Sequence, residues 1–110
     1  MAKLSPPLEP PTIHRATRGA RGRVIRGEEI SEAEAVAQRR LGRDVVVCGD
    51  SIAANREAAK AIEAQVGPYK AGEPHTRVGP YVLPHFQPEP RPPAGHTFYE
   101  TEHRKAAKNP

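Results

Sequence analysis

Two histidines near the end of the chain are the residues best suited to acid–base chemistry. His85 and His96 lie in two short segments, PYVLPHF and GHTFYE, whose composition predicts β-strands. Imidazole changes its charge near neutral pH, so one histidine can accept a proton while another donates one. Cleavage of an RNA phosphodiester without a metal needs both roles, a base for the 2′-hydroxyl and an acid for the leaving 5′-oxygen.

Neighbouring residues could complete such a site. Arg91 lies in the Pro-rich loop between the two segments and could help to hold the phosphate, while Tyr99 could orient a base or stack on it. His75 and Arg77 precede the first segment and are candidate substrate-binding residues. The sequence leaves open which histidine is the acid. It also leaves open a second interpretation, in which each histidine only caps a turn or binds a carbonyl.

Metal binding and thiol chemistry have less support in the same sequence. His75, His85 and His96 are spaced by ten and eleven residues, and none forms the close pair H-x₃₋₅-H that is typical of zinc sites. Cys48 is the single cysteine and closes an apolar run, where thiols are ordinarily inert. We therefore expect no metal, no cofactor and no disulfide within the chain.

Regular structure is predicted between Thr12 and Gly67, where proline is absent. The segment ISEAEAVAQRRLG begins with the capping-box pair Ser31 and Glu34, which predicts a helix. DVVVC predicts a short buried strand, and either Asp50 or Ser51 can cap a second helix over SIAANREAAKAIEAQV. The apolar face expected for the first helix consists of Ile30, Ala33, Ala37 and Leu41.

The two ends of the chain differ in composition from this central segment. Residues 1–27 carry six basic groups, one acidic group and four prolines, which predicts a disordered basic leader or linker. Eight prolines lie within residues 68–93 and predict a Pro-rich, hairpin-like region, with Pro84 restricting its strand to a sheet edge or a bulge. We expect a small single α+β domain over residues 28–110, with two helices packed on a short sheet.

The charge distribution suggests an anionic partner. The formal charge of +4 divides into +5 over residues 1–27, −3 over residues 28–66 and +2 over residues 67–110. Basic ends attract a polyanion such as RNA, although they also keep a small protein soluble. No apolar run approaches the roughly 20 residues that span a bilayer, so we expect no membrane association.

From about residue 42 to residue 105 the chain resembles the C-terminal effector domains of bacterial polymorphic toxins, including those on Rhs-type carriers. The resemblance is carried by GRDVVVCG, by the alanine-rich helix that follows, and by LPHFQP and GHTFYE. Such domains often end in a Pro-His-aromatic-x-Pro segment followed by a Gly-x-His-aromatic segment. Residues 84–88 match the first pattern, and residues 95–99 contain the glycine, histidine and aromatic residues of the second, with His96 directly after Gly95.

The resemblance implies a cytotoxic effector that is secreted or delivered into a target cell and acts in its cytoplasm. Many domains of this kind are nucleases, often metal-independent RNases, and each is paired with an inhibitory immunity protein, here expected to be acidic. We therefore expect RNA as the substrate and a monomer when free. Two alternatives stay open: a toxin acting on DNA, NAD or protein, and a non-enzymatic module that binds nucleic acid or a protein.

Overall fold

The computed structural model describes residues 10–72, 82–90 and 92–108, which form a small α+β domain with two helices and one mixed sheet. Seven strands make up the described sheet, in the spatial order β4-β5-β6-β3-β1-β2-β7. Along the chain the elements are β1 (Thr12–Arg18), β2 (Val24–Ile30), α1 (Glu32–Arg40), β3 (Val45–Cys48), α2 (Ile52–Val66), β4 (Tyr69–Gly72), β5 (His85–Pro88), β6 (Thr97–Tyr99) and β7 (Ala107–Lys108). The α+β class, the two helices and the β3 strand agree with the sequence prediction.

Both helices begin where their caps predict. The Ser31 hydroxyl accepts a hydrogen bond from the amide of Glu34 at 3.1 Å, and the Glu34 carboxylate accepts one from the Ser31 amide at 3.0 Å. This completes the capping box and satisfies two amides that the helix cannot pair internally. Ser51, and not Asp50, caps α2 by accepting a hydrogen bond from the amide of Ala54.

The prediction of a disordered leader is wrong for residues 12–27. β1 lies inside the sheet, antiparallel to both β2 and β3, with Ile13 opposite Val47 of β3. Val24 of β2 is completely buried, and the expected domain boundary falls inside that strand. The composition was a poor guide because successive side chains of a strand point to opposite faces of the sheet. A strand can therefore contribute every second residue to the core while arginines occupy other positions. Residues 1–9 lie outside the described part of the chain.

The two faces of the sheet carry separate cores. The helices cover one face, where the cluster contains Ile30, Ala35, Val36, Val45, Val47, Ala59, Ile62, Phe86 and Tyr99. The opposite face, here called the helix-free face, carries Val24, Val46, Cys48, Leu83 and Phe98. Strand β3 supplies alternate residues to each cluster and is fully buried, as its unbroken apolar run predicts.

Helix α1 buries a different face from the one predicted. Its buried residues are Ala35, Val36 and Arg39, whereas Leu41 is 66% exposed. A count of apolar residues cannot find this face because one of its three members is an arginine. Arg39 can be buried since its guanidinium forms an ion pair with Glu63 of α2.

Strand β5 also departs from its predicted place at a sheet edge, because it lies between β4 and β6. The strand begins at His85, directly after Pro84, whose carbonyl still accepts a hydrogen bond from the Tyr99 amide at 3.1 Å. Pro88 ends the strand opposite Tyr69 of β4. β5 and β6 are antiparallel neighbours, with His85 opposite Phe98. The stretch between them is described only in part, so its hairpin-like form stays a prediction.

Candidate functional site

His85 and His96 come together on the helix-free face of the sheet. His85 is the first residue of β5, and His96 directly precedes β6. Their ring centroids lie 4.5 Å apart, with the ring planes at 75°. Phe98 supports both rings, since its centroid is 5.6 Å from that of His85 and 5.2 Å from that of His96. Antiparallel pairing of the two short strands therefore joins residues that are eleven positions apart in the sequence.

Asp44, which sequence reasoning did not single out, lies behind His96. Its Oδ1 atom accepts a hydrogen bond from the backbone amide of His96 at 2.8 Å and lies 3.6 Å from Nδ1 of the ring. The ring contact is too long for a good hydrogen bond, but it is an ion-pair distance when the imidazole is protonated. The other carboxylate oxygen accepts a hydrogen bond from Nε of Arg18 at 3.1 Å.

These neighbours keep Asp44 ionised. Burial by itself raises the pKa of its carboxyl, but the ring and amide of His96 and the charge of Arg18 together outweigh burial and lower it below the ordinary value of 3.8. A fixed negative charge therefore lies beside the ring of His96. Only the long-range pairing of β1, β3 and β6 gathers Asp44, His96 and Arg18, so no local motif could have identified this set.

His85 is held by two further residues that the sequence analysis missed. Its Nε2 atom is 3.2 Å from Oε1 of Gln87, the residue two positions along β5 and therefore on the same face. The opposite strand provides space, because Gly72 is the partner of His85 in the β4–β5 ladder. A Cβ atom at Gly72 would lie 2.7 Å from Cε1 of His85 and closer still to its Nε2, so only glycine allows this ring position.

The histidine pair is largely enclosed. His85 is 6% exposed, and the His96 side chain is 15% exposed. Nδ1 of each ring is among the atoms that are buried. A solute would therefore have to contact other atoms of the two rings. Because the rings are in contact with each other, no phosphate fits between them, and an anion would have to lie across their shared edge.

Tyr99, the other described candidate, is not part of this pair. It follows Phe98 in β6 and so faces the opposite side of the sheet. There its ring stacks on that of Phe86, with the centroids 5.7 Å apart and the planes at 28°. The remaining candidates, His75, Arg77 and Arg91, lie outside the described residues, so their place relative to the pair stays a prediction.

Two other side chains of reactive type, His14 and Cys48, lie in surroundings that favour a structural role. Both ring nitrogens of His14 have local partners: Nε2 is 2.8 Å from Oγ1 of Thr12, and Nδ1 is 3.0 Å from the carbonyl of Gly27. Cys48 is buried, and burial, together with the nearby Glu100 carboxylate, raises the pKa of its thiol to about 12. A thiol with that pKa is not a nucleophile at neutral pH.

Within residues 10–72, 82–90 and 92–108, no three His, Cys, Asp or Glu side chains gather as metal ligands would. The helices of this described part are too short and too polar to cross a membrane. Comparison of the chain with protein-family models, with curated proteins and with solved structures finds no match.

Proposed function

We propose that this protein cleaves RNA by general acid–base catalysis, with His85 and His96 as the proton-transfer pair. The observation that supports this function best is the contact between the two imidazoles, 4.5 Å apart, with the carboxylate of Asp44 beside one of them. A neutral base next to a charged acid is the state that the reaction requires.

The reaction divides its protons between the two rings. A neutral His85 removes the proton of the ribose 2′-hydroxyl, and the 2′-oxygen forms a bond to phosphorus. The bond from phosphorus to the 5′-oxygen breaks, and protonated His96 donates its proton to that oxygen. The products are a 2′,3′-cyclic phosphate and a free 5′-hydroxyl. We assign the acid to His96 because the Asp44 carboxylate lies 3.6 Å from Nδ1 of its ring.

The charge around the pair suits a phosphate chain. The connection and strands of the β1–β2 hairpin carry arginines whose side chains are wholly or partly exposed: Arg15, Arg18, Arg21 and Arg23. Arg18 contacts Asp44 directly, so this basic hairpin begins next to His96. RNA phosphates following the hairpin would approach the exposed rim of the histidine pair.

The biological setting that we propose rests on the resemblance to toxin domains. The protein acts as a cytotoxic effector, delivered into a target cell and active in its cytoplasm. An acidic immunity protein inhibits it in the producing cell, and opposite charge speeds their association. Free of that inhibitor, the effector is a monomer.

The direct test incubates the full-length protein with a short labelled RNA in the presence of a chelator. We expect a cyclic phosphate product, and we expect single His85→Ala and His96→Ala variants to lose about 10²–10⁴ in rate. His103→Ala is the matched control, since the His103 side chain is 89% exposed and belongs to neither strand. A 2′-deoxy substitution at the cleaved position should abolish the reaction because it removes the nucleophile.

Parallel incubations with DNA and with NAD test two of the alternative substrates. A folded double variant, His85→Ala with His96→Ala, that cleaves RNA at the wild-type rate would overturn the proposal. Cleavage of DNA or NAD alone would move the chemistry to another substrate class.

The burial of the pair favours one second candidate, a module that binds RNA without cleaving it. In that case the exposed arginines of the β1–β2 hairpin, rather than the enclosed imidazoles, contact the nucleic acid. Intact RNA with a gel shift that weakens in an Arg21→Gln, Arg23→Gln double variant would support this function. The shift should also weaken steeply with added salt, since phosphate contacts release counterions.

A further inference from the structure

A concave site lies on the helix-covered side of the sheet, on the face opposite the histidine pair. It has a volume of about 480 Å³ and opens between the first turns of α2 and the segment that follows β6. Its apolar wall is formed by Ile52, Pro84 and Tyr99. Ile52 is one of two large apolar side chains that the described residues expose, which marks this wall as an uncovered apolar surface.

Two guanidinium groups give this pocket its charge. Arg56 lies on α2 with its guanidinium carbon 5.3 Å from the ring centre of Phe86, in a cation–π contact. Arg104 donates a hydrogen bond through Nη1 to the carbonyl of Val82 at 2.8 Å. Each arginine is thus held at the pocket by its own anchor. The described residues that line the pocket include these two arginines and no aspartate or glutamate.

An apolar wall beside two guanidinium groups fits a ligand that joins an anionic group to an apolar part. Guanidinium groups bind phosphate through two parallel N–H donors, whereas an apolar wall excludes a small, fully hydrated ion. The volume lies in the usual range for small-molecule sites. We propose that the pocket binds one phosphorylated nucleoside, with its base against Ile52 and Pro84 and its phosphate between Arg56 and Arg104.

The preference for an anion on an apolar body follows from the pocket alone, but the choice of a nucleotide rests on the proposed RNA cleavage. The same chemistry has two sources, a nucleotide within an RNA chain and a free mononucleotide. Pro84 lines the pocket and precedes His85, while Tyr99 lines it and follows Phe98. A bound nucleotide would therefore lie next to both strands that carry the histidine pair.

The test measures binding and not cleavage. Uridine and adenosine 5′-monophosphates, the two nucleosides and inorganic phosphate are titrated separately into the full-length protein and followed by NMR. A 2′-O-methyl oligonucleotide, which cannot be cleaved because its 2′-hydroxyl is blocked, provides the RNA arm. We expect each mononucleotide to bind at least about tenfold more tightly than phosphate or the nucleoside, since only the nucleotide satisfies both parts of the pocket.

Two sets of variants locate the site. Arg56→Gln should weaken nucleotide binding about tenfold or more, whereas Lys60→Gln, which removes a charge from an exposed position on the same helix, should leave it unchanged. Ala53→Glu should weaken binding more than Ala53→Gln, because the two side chains match in size and differ in charge. Ala53→Glu should fold normally, because a negative charge is favourable in the first turn of a helix.

The outcomes separate this inference from the proposed catalysis. Mononucleotide binding that Arg56→Gln weakens supports the pocket, whether or not the protein cleaves RNA. Binding of the oligonucleotide alone would assign the pocket to a nucleotide within a chain, and binding of mononucleotides alone would assign it to a free ligand. Equal effects of Arg56→Gln and Lys60→Gln, or no binding in either arm, would overturn the inference even if His85 and His96 prove catalytic.

Discussion

Arg39 and Glu63 form a fully buried, two-pronged ion pair between the two helices. Nε and Nη2 of Arg39 donate to the two carboxylate oxygens at 3.2 and 3.1 Å. The third nitrogen, Nη1, donates to the carbonyls of Arg43 and Ala94, both at 2.9 Å. One side chain thus joins α1 to α2 and also anchors the loop that leads through Gly95 into His96.

We expect Arg39→Met to destabilise the protein by about 3–5 kcal/mol, because it leaves the carboxylate of Glu63 buried without its counter-charge. The double variant Arg39→Met, Glu63→Leu should recover part of that loss, since an apolar pair of similar volume requires no desolvation of charge. Recovery should be incomplete, because the carbonyl of Ala94 still lacks its donor. Urea unfolding of the wild type, the single variants Arg39→Met and Glu63→Leu, and the double variant measures this coupling, and strictly additive losses would contradict this account.

Gly72→Ala should displace the His85 ring without altering either histidine. The added Cβ would overlap the imidazole, so the ring must rotate away from Gln87 or β4 must separate from β5. The measurement is the imidazole region of a ¹H–¹³C NMR spectrum, together with RNA cleavage. Ala71→Ser adds one heavy atom to an exposed position of the same strand and is the control. An unchanged His85 spectrum in the alanine variant would show that the ring does not need this space.

The depressed pKa of Asp44 predicts a specific loss of stability in acid. The carboxylate is favoured in the folded state, so its contribution is fully present above about pH 4, near the unfolded pKa. It is lost as the pH falls through the lower pKa of the folded state. Asp44→Asn should therefore be less stable than the wild type at pH 7 and should lose less stability between pH 4 and pH 2. Parallel acid limbs in urea unfolding would contradict this assignment.

Deleting residues 1–27 should abolish cooperative folding. The deletion removes β1, which lies between β2 and β3, and the buried Val24 of β2. Both faces of the sheet would lose core residues and backbone pairing. Thermal unfolding followed by circular dichroism is sufficient to test it. A truncated protein with the wild-type melting temperature would show that β1 is dispensable.

Cys48 should resist thiol reagents in the folded protein. Its raised pKa, about 12, leaves almost no thiolate at neutral pH, and the side chain is buried. Labelling with a chromogenic disulfide should become rapid only in denaturant. Because the folded pKa exceeds the unfolded value, the stabilising contribution of this thiol should hold below about pH 9 and decline as the pH rises towards 12. Rapid native labelling at pH 7 would contradict the burial of the thiol.

Local signals in the sequence were sufficient for the elements whose chemistry is local. The capping box of Ser31 and Glu34, the cap at Ser51 and the apolar run of β3 each depend on residues a few positions apart, and each appears where predicted. His85 and His96 could also be selected as candidate acid–base residues from the sequence, because imidazole chemistry and strand composition can be recognised without knowing the fold. Their contact could only be a hypothesis until the two strands were paired.

Tertiary structure alone decided which side chains share a site and which face of each element is buried. Strand β1 lies inside the sheet, between β3 and β2, although its composition resembles that of a linker. Backbone pairing with these two strands does not depend on side-chain type. Arg39 belongs to the core only because Glu63 lies across from it on another helix. Asp44 reaches His96 over 52 positions of sequence, and Tyr99 faces away from the pair because side chains alternate along a strand. Such relationships depend on long-range pairing and register, which no short segment of the chain encodes by itself.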